Sequence, residues 1–215
     1  MNTKPFIRKK ATDQLEGVLQ TLNSGRASHF VRQVAVAELK EFYLSGYVED
    51  PQEYVEWFKE IRCATPDDEI RIYINSPGGD LGTALQFMRV MSECQAHITC
   101  SVEGECCSAA TIIFLQADAF EITPHSLFML HNYSGGIAGK GGEMFDQAVF
   151  ERDWSRKLLA DVYRDFLTEA EVEKLLDNKD MWLHAEEVAE RCQRVVEARA
   201  KAAQAEADGD SIQES

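Results

Sequence analysis

The chain has 215 residues, a net charge of −15, 45% hydrophobic residues and 27% charged residues. That is enough for one domain with a substantial core, at an ordinary soluble composition. The acidity argues against nucleic acid as a partner, because phosphate binding needs clustered Lys and Arg. No apolar run reaches the roughly 18–20 residues of a membrane span, and the basic Met1–Lys10 has no apolar stretch behind it, so neither a membrane segment nor a secretory signal is expected.

Residues 1–28 are polar without sustained period and read as a flexible arm, with a short helix around Asp13–Leu22. Glu41–Val48 reads as a strand broken at Ser45-Gly46. Pro51–Ile61 places Tyr54, Val55, Trp57, Phe58 and Ile61 at near-helical spacing and is expected to be an amphipathic helix. Glu69–Asn75 is a β-branched and aromatic strand that Ser76-Pro77-Gly78-Gly79-Asp80 breaks. Leu81–Cys94 restarts as a helix, and Ile98–Val102 is a second strand.

Ser108–Gln116 is small and apolar, as in a buried helix. Phe120–Thr123 and Leu127–Leu130 are short strands. Ser134–Gly142 holds five glycines in nine residues and reads as a mobile loop. Glu143–Phe166 and Thr168–Leu176 are helices, the second opened by a Thr168 cap. Met181–Leu183 is a strand and Ala185–Ala203 a final helix. The main domain then covers residues 29–203, and the acidic residues 204–215 read as a disordered tail. Alternating strands and helices predict an α/β domain with a largely parallel sheet.

Cysteines stand at 63, 94, 100, 106, 107 and 192 without a C-x-x-C pair, so zinc is not expected and idle thiols in a reducing compartment are. Four segments carry residues suited to chemistry. Ser108 opens a buried helix, where unpaired backbone N–H groups can stabilise an oxyanion, although a plain helix cap fits as well. His131 ends an apolar strand facing the glycine-rich loop, a place for a general base. Asp180 precedes another short strand and could orient an imidazole. Ser76-Pro77-Gly78-Gly79 suits a tight turn whose second glycine lets an N–H approach a ligand. Each is weak alone; together they supply nucleophile, base, orienter and oxyanion donor.

Read together, Tyr73-Ile74-Asn75-Ser76-Pro77-Gly78-Gly79, the segment Gly104–Ser108, Met129-Leu130-His131-Asn132 and Asp180-Met181-Trp182-Leu183-His184-Ala185 resemble the hallmarks of the Clp protease proteolytic-subunit (ClpP) family, over about Phe42 to Val196. Cys106-Cys107 replaces two alanines of the family's nucleophile segment, and Arg71 stands where an aromatic usually faces the unfoldase. The resemblance implies the ClpP/crotonase-like fold of stacked αβ units with a protruding handle helix at Glu143–Phe166. It implies a serine endopeptidase with Ser108 as nucleophile, His131 as base and Asp180 as orienter. Backbone N–H groups of Gly79 and Ala109 would form the oxyanion hole. A peptide would lie as an added strand between Leu81 and Ser134–Gly136. It further implies no cofactor or metal, polypeptide substrates, a cytoplasmic homotetradecamer of two stacked heptameric rings, and an ATP-driven Clp-type unfoldase partner. Rival readings are a non-proteolytic crotonase-fold protein, disfavoured by the complete Ser/His/Asp set, and a phage capsid-maturation peptidase.

Overall fold

The computed structural model describes residues 37–213, with side chains as far as Ala205. The N-terminal arm and its Asp13–Leu22 helix lie outside the described residues.

Strand β2 (Glu69–Ser76) shows how the sheet forms. Ile70, Ile72 and Ile74 alternate inward and are wholly buried, while Arg71, Tyr73 and Asn75 face the other way. Each such isoleucine stabilises the fold by roughly 1.5–3 kcal/mol. On one side β2 pairs in parallel with β1 (Leu39–Ser45), and on the other with β3 (His97–Cys107). β3 then forks. Thr99–Val102 pairs with β4 (Ala119–Ile122), and Glu105–Cys107 pairs with β5 (Leu127–Leu130), both in parallel. Only β6 (Met181–His184), paired with β5, runs antiparallel. The largely parallel α/β sheet expected from the sequence is the one observed.

The fork sits at Gly104. Asn75 Oδ1 accepts the Glu105 N–H at 3.1 Å, and any Cβ on Gly104 would run into that side chain. The β2–β3 register shifts at this place. β3 is therefore longer than the expected Ile98–Val102, because β5 returns to pair with its second half.

Helices cover the sheet. A 3-10 turn at Pro51–Tyr54, capped by Asp50, leads into α1 (Val55–Cys63), so the expected single helix is split. Asp80 caps α2 (Leu81–Ser92), its carboxylate accepting the Thr83 N–H at 2.6 Å. Tyr54, Trp57 and Phe58 each pack edge-on against Phe87 of α2. α3 (Ala109–Phe114) is buried along its whole length, as its small apolar composition foretold.

α4 (Gly141–Val162) is the expected handle. Its buried residues, Ser155, Leu159 and Val162, all lie in its C-terminal part. Phe145 and Phe150 in its N-terminal half are 69% and 68% exposed. Large apolar side chains of this helix thus continue past the point where the chain's own core ends. The helix stops at Val162 and not Phe166, and Asp165 adopts a left-handed φ of 64° just beyond.

α5 (Glu169–Leu176) begins with a Thr168–Glu171 capping box. It is tied to α6 (Ala185–Gln213) by a two-pronged Arg191–Glu171 pair at 2.7 and 3.0 Å. α6 runs past the expected boundary at Ala203, since Ala202, Ala203, Gln204 and Ala205 are good helix formers that carry it on.

Candidate active site

The end of β3 delivers Ser108 and the end of β5 delivers His131. These segments are held together by the strand register, and the Ser108 N–H donates to Met129 O at 2.8 Å. His131 Nε2 lies 2.6 Å from Ser108 Oγ. With the ring proton on Nδ1, Nε2 accepts the hydroxyl proton, the geometry of a nucleophile and its base. Ser108 itself has φ 51° and ψ −124°, a conformation that L-residues avoid. Such strain costs on the order of 1–3 kcal/mol and persists only where surrounding contacts enforce it.

The Ser76–Gly79 turn supplies part of that enforcement. Gly78 has φ 95°, and a Cβ there would sit 2.6 Å from Ser108 Cβ and 2.7 Å from Cys107 O. A Cβ on Gly79 (φ 152°) would collide with the Val48 backbone. Val48 N–H donates to Gly78 O at 2.9 Å and Asp80 N–H donates to Val48 O at 2.7 Å, pinning the turn on both flanks. Between these bonds the Gly79 N–H has no acceptor among the described residues. The Ala109 N–H opens α3 and has no carbonyl one turn before it to donate to. Gly79, Ala109 and Ser108 all line one cleft.

Asp180 is placed differently. Leu130 pairs with Met181 at the end of the antiparallel β5–β6 ladder, so His131 and Asp180 each lie one residue beyond that last pair. Its side chain is nonetheless exposed, and no hydrogen bond or ion pair joins it to His131 or to any other described residue. The neighbouring cross-link between these segments is Asn132 Nδ2 to Asn178 Oδ1, at 3.4 Å.

The cleft, about 270 Å³, has Leu81, Ser134 and Tyr133 at its rim and Ile112, Leu158 and Leu159 as apolar wall. Leu81 and Ser134 were named from the sequence; Gly136 does not line it. Tyr133 is fixed by donating to Glu151 on α4 at 2.9 Å and by an edge contact with Trp154. At the back of the cleft Tyr163 OH meets Thr111 Oγ1 at 2.8 Å, and Thr111 Oγ1 donates to Ser108 O at 2.6 Å. Burial pushes the Tyr163 phenol up to about 12. Neither Thr111 nor Tyr163 stood out in the sequence. Thr111 is the one hydroxyl in an otherwise apolar buried run, which is the only local signal of its role.

Cys106 and Cys107 are buried beside the nucleophile, and desolvation pushes both thiols up, so they remain neutral there. Among the described residues no group of three or more His, Cys, Asp or Glu is arranged to hold a metal ion, and no helix is long and apolar enough to cross a membrane.

Two comparisons with known proteins bear on the family of the chain. Residues 48–192 match the family model for Clp protease. The chain is also similar to the ATP-dependent Clp protease proteolytic subunit of Leuconostoc citreum (strain KM20), at 29% identity over 182 residues, covering 80% of this chain and 88% of the relative. The family match spans Ser108 and the residue that approaches it, the whole sheet from β2 to β6, and the handle helix. The chain belongs to the Clp protease family and is a divergent, serine-type endopeptidase member of it.

Proposed function

We propose that Ser108, His131 and Asp180 act as a catalytic triad that cleaves peptide bonds, with the N–H groups of Gly79 and Ala109 as the oxyanion hole. The observation that carries this reading is the 2.6 Å approach of His131 Nε2 to Ser108 Oγ beside two unpaired backbone donors. Ser108 Oγ attacks the scissile carbonyl carbon while its proton passes to His131 Nε2. The carbonyl oxygen becomes an oxyanion and accepts from Gly79 N–H and Ala109 N–H. As the C–N bond breaks, the imidazolium returns its proton to the leaving amine. Water, deprotonated by His131, then attacks the acyl-Ser108 ester and releases the second product.

Asp180 enters by accepting from His131 Nδ1–H, which fixes the tautomer and stabilises the imidazolium. Making that bond calls for the exposed Asp180 side chain, which lies one residue outside the β5–β6 ladder, to turn toward His131.

The substrate is an extended polypeptide passing between Leu81 and Ser134–Gly136, its side chain beside the scissile bond entering the cleft walled by Ile112, Leu158 and Leu159. The subunits assemble as two stacked heptameric rings around an inner chamber in the cytoplasm, fed by an ATP-dependent unfoldase. The name of the Leuconostoc relative and the exposed Phe145 and Phe150 on the handle support assembly and partnership of this kind. Native mass spectrometry tests the assembly: large rings are expected, and monomer alone under varied salt and concentration would overturn it. A fluorophosphonate probe tests the chemistry: it is expected to label Ser108 and to leave Ser108→Ala unlabelled.

A further inference from the structure

We infer that Thr111 and Tyr163 are positioning residues that hold the Ser108–Ala109 peptide plane so that the Ala109 N–H faces the reacting carbonyl. The inference rests on the reading of Ser108 and Ala109 given above, and concerns two residues that never touch the substrate's reacting atoms.

In a trans peptide the C=O and the following N–H lie in one plane and point opposite ways. Whatever fixes Ser108 O therefore fixes the direction of the Ala109 N–H. Ser108 O accepts from Thr111 N–H at 2.9 Å and from Thr111 Oγ1–H at 2.6 Å, which occupies both of its lone pairs. The threonine hydroxyl has one proton and commits it to Ser108 O. The 2.8 Å bond between Thr111 Oγ1 and Tyr163 OH must then use the tyrosine proton. Tyr163 keeps that proton well above neutral pH, because burial raises its phenol. The result is a directed chain from Tyr163 to Thr111 to Ser108 O, ending in the plane that carries the oxyanion donor.

A threonine that bonds back to its own helical turn is common and needs no partner. Here a buried tyrosine hydroxyl, from a residue just past the end of α4 and 52 positions away in sequence, is aimed at it. Thr111 is 2% exposed and Tyr163 1% exposed, so water is not the alternative partner for either. The strained φ/ψ pair of Ser108 gives the chain something to hold, since turning this peptide plane would carry ψ from −124° toward the allowed left-handed well and swing the Ala109 N–H away.

The test compares Thr111→Val, Thr111→Ser, Tyr163→Phe and the Thr111→Val/Tyr163→Phe double variant in the full-length protein. Two quantities are read: kcat and KM on a fluorogenic peptide, and the inhibition constant of a peptide boronate, whose adduct with Ser108 is tetrahedral. Thr111→Val is expected to lower kcat about tenfold and weaken the boronate by the same factor, with KM changed by less than about twofold. Thr111→Ser keeps the hydroxyl and stays within about threefold of the parent, while Tyr163→Phe loses about threefold in kcat. The double variant matches Thr111→Val within about twofold, because Tyr163 acts through Thr111.

Unchanged kcat and boronate inhibition in Thr111→Val, a loss confined to KM, or a double variant whose loss is the product of the two singles would overturn the inference. If circular dichroism shows Thr111→Val unfolded, Tyr163→Phe decides alone: a matched loss in kcat and boronate affinity supports the chain, and no loss overturns it. Cleavage that survives in Ser108→Ala would instead overturn the underlying nucleophile assignment, whereas an inactive Ser108→Ala beside a fully active Thr111→Val would overturn only this inference.

Discussion

Replacing Gly78 by alanine probes the contact on which the nucleophile's geometry rests. The new methyl would stand 2.6 Å from Ser108 Cβ, 2.7 Å from Cys107 O and 3.0 Å from Ala109 N. Carbon atoms in good contact sit roughly 3.5–4.0 Å apart, so something must yield by about 1 Å. Two of the three atoms are backbone and cannot rotate away. In addition, φ at Gly78 is 95°, where an L-residue costs on the order of 1–2 kcal/mol. Overpacking adds about 1–3 kcal/mol. Gly78→Ala should thus lose about 2–5 kcal/mol in urea unfolding. Because the displaced atoms belong to the nucleophile segment, the rate of fluorophosphonate labelling should fall about 100-fold, as a misplacement of about 1 Å permits. Gly142→Ala, in α4 with nothing within 4 Å of the added methyl, is the control. It should be neutral or stabilising by about 0.5 kcal/mol. A Gly78→Ala protein as stable as the parent and labelled at a similar rate would refute the reasoning.

Asp180→Asn should leave the fold intact, because the side chain is exposed, yet lower kcat by about 100-fold or more through loss of the required His131 tautomer. A variant with unchanged kcat would remove Asp180 from the mechanism. The Arg191 guanidinium holds Glu171 down at about 2, from an ordinary 4.5. A lowered carboxylate contributes stability that is present above pH 4.5 and is lost as pH falls toward 2. Glu171→Gln should therefore lower stability by about 2 kcal/mol at pH 6, after allowance for solvent screening, and the gap to the parent should close by about pH 2–3. Urea midpoints measured across pH check this, and a gap independent of pH would contradict it.

Much of the site was legible in the sequence because its parts are local. The isoleucine alternation of β2, the turn-forming Ser-Pro-Gly-Gly and the small apolar run after Ser108 each dictate their own backbone. What could not be read depends on residues far apart. The fork of β3 exists because β5 returns to pair with Glu105–Cys107, a contact that local propensity near Val102 does not contain. The Thr111–Tyr163 bond likewise joins residues 52 positions apart, and the α4 periodicity gave no sign that Phe145 and Phe150 lie beyond the chain's own core. The sequence placed Asp180 before a strand; only the β5–β6 register brings it to the same end of the ladder as His131, and only the side-chain contacts show it unbonded.

The central claim is that Ser108 performs the attack. It is tested most directly by measuring fluorogenic-peptide cleavage and fluorophosphonate labelling together for the parent and Ser108→Ala. The parent should cleave the peptide and carry the label on Ser108, and the variant should do neither while unfolding at a similar urea concentration. Peptide cleavage at the parent rate by correctly folded Ser108→Ala would contradict the account.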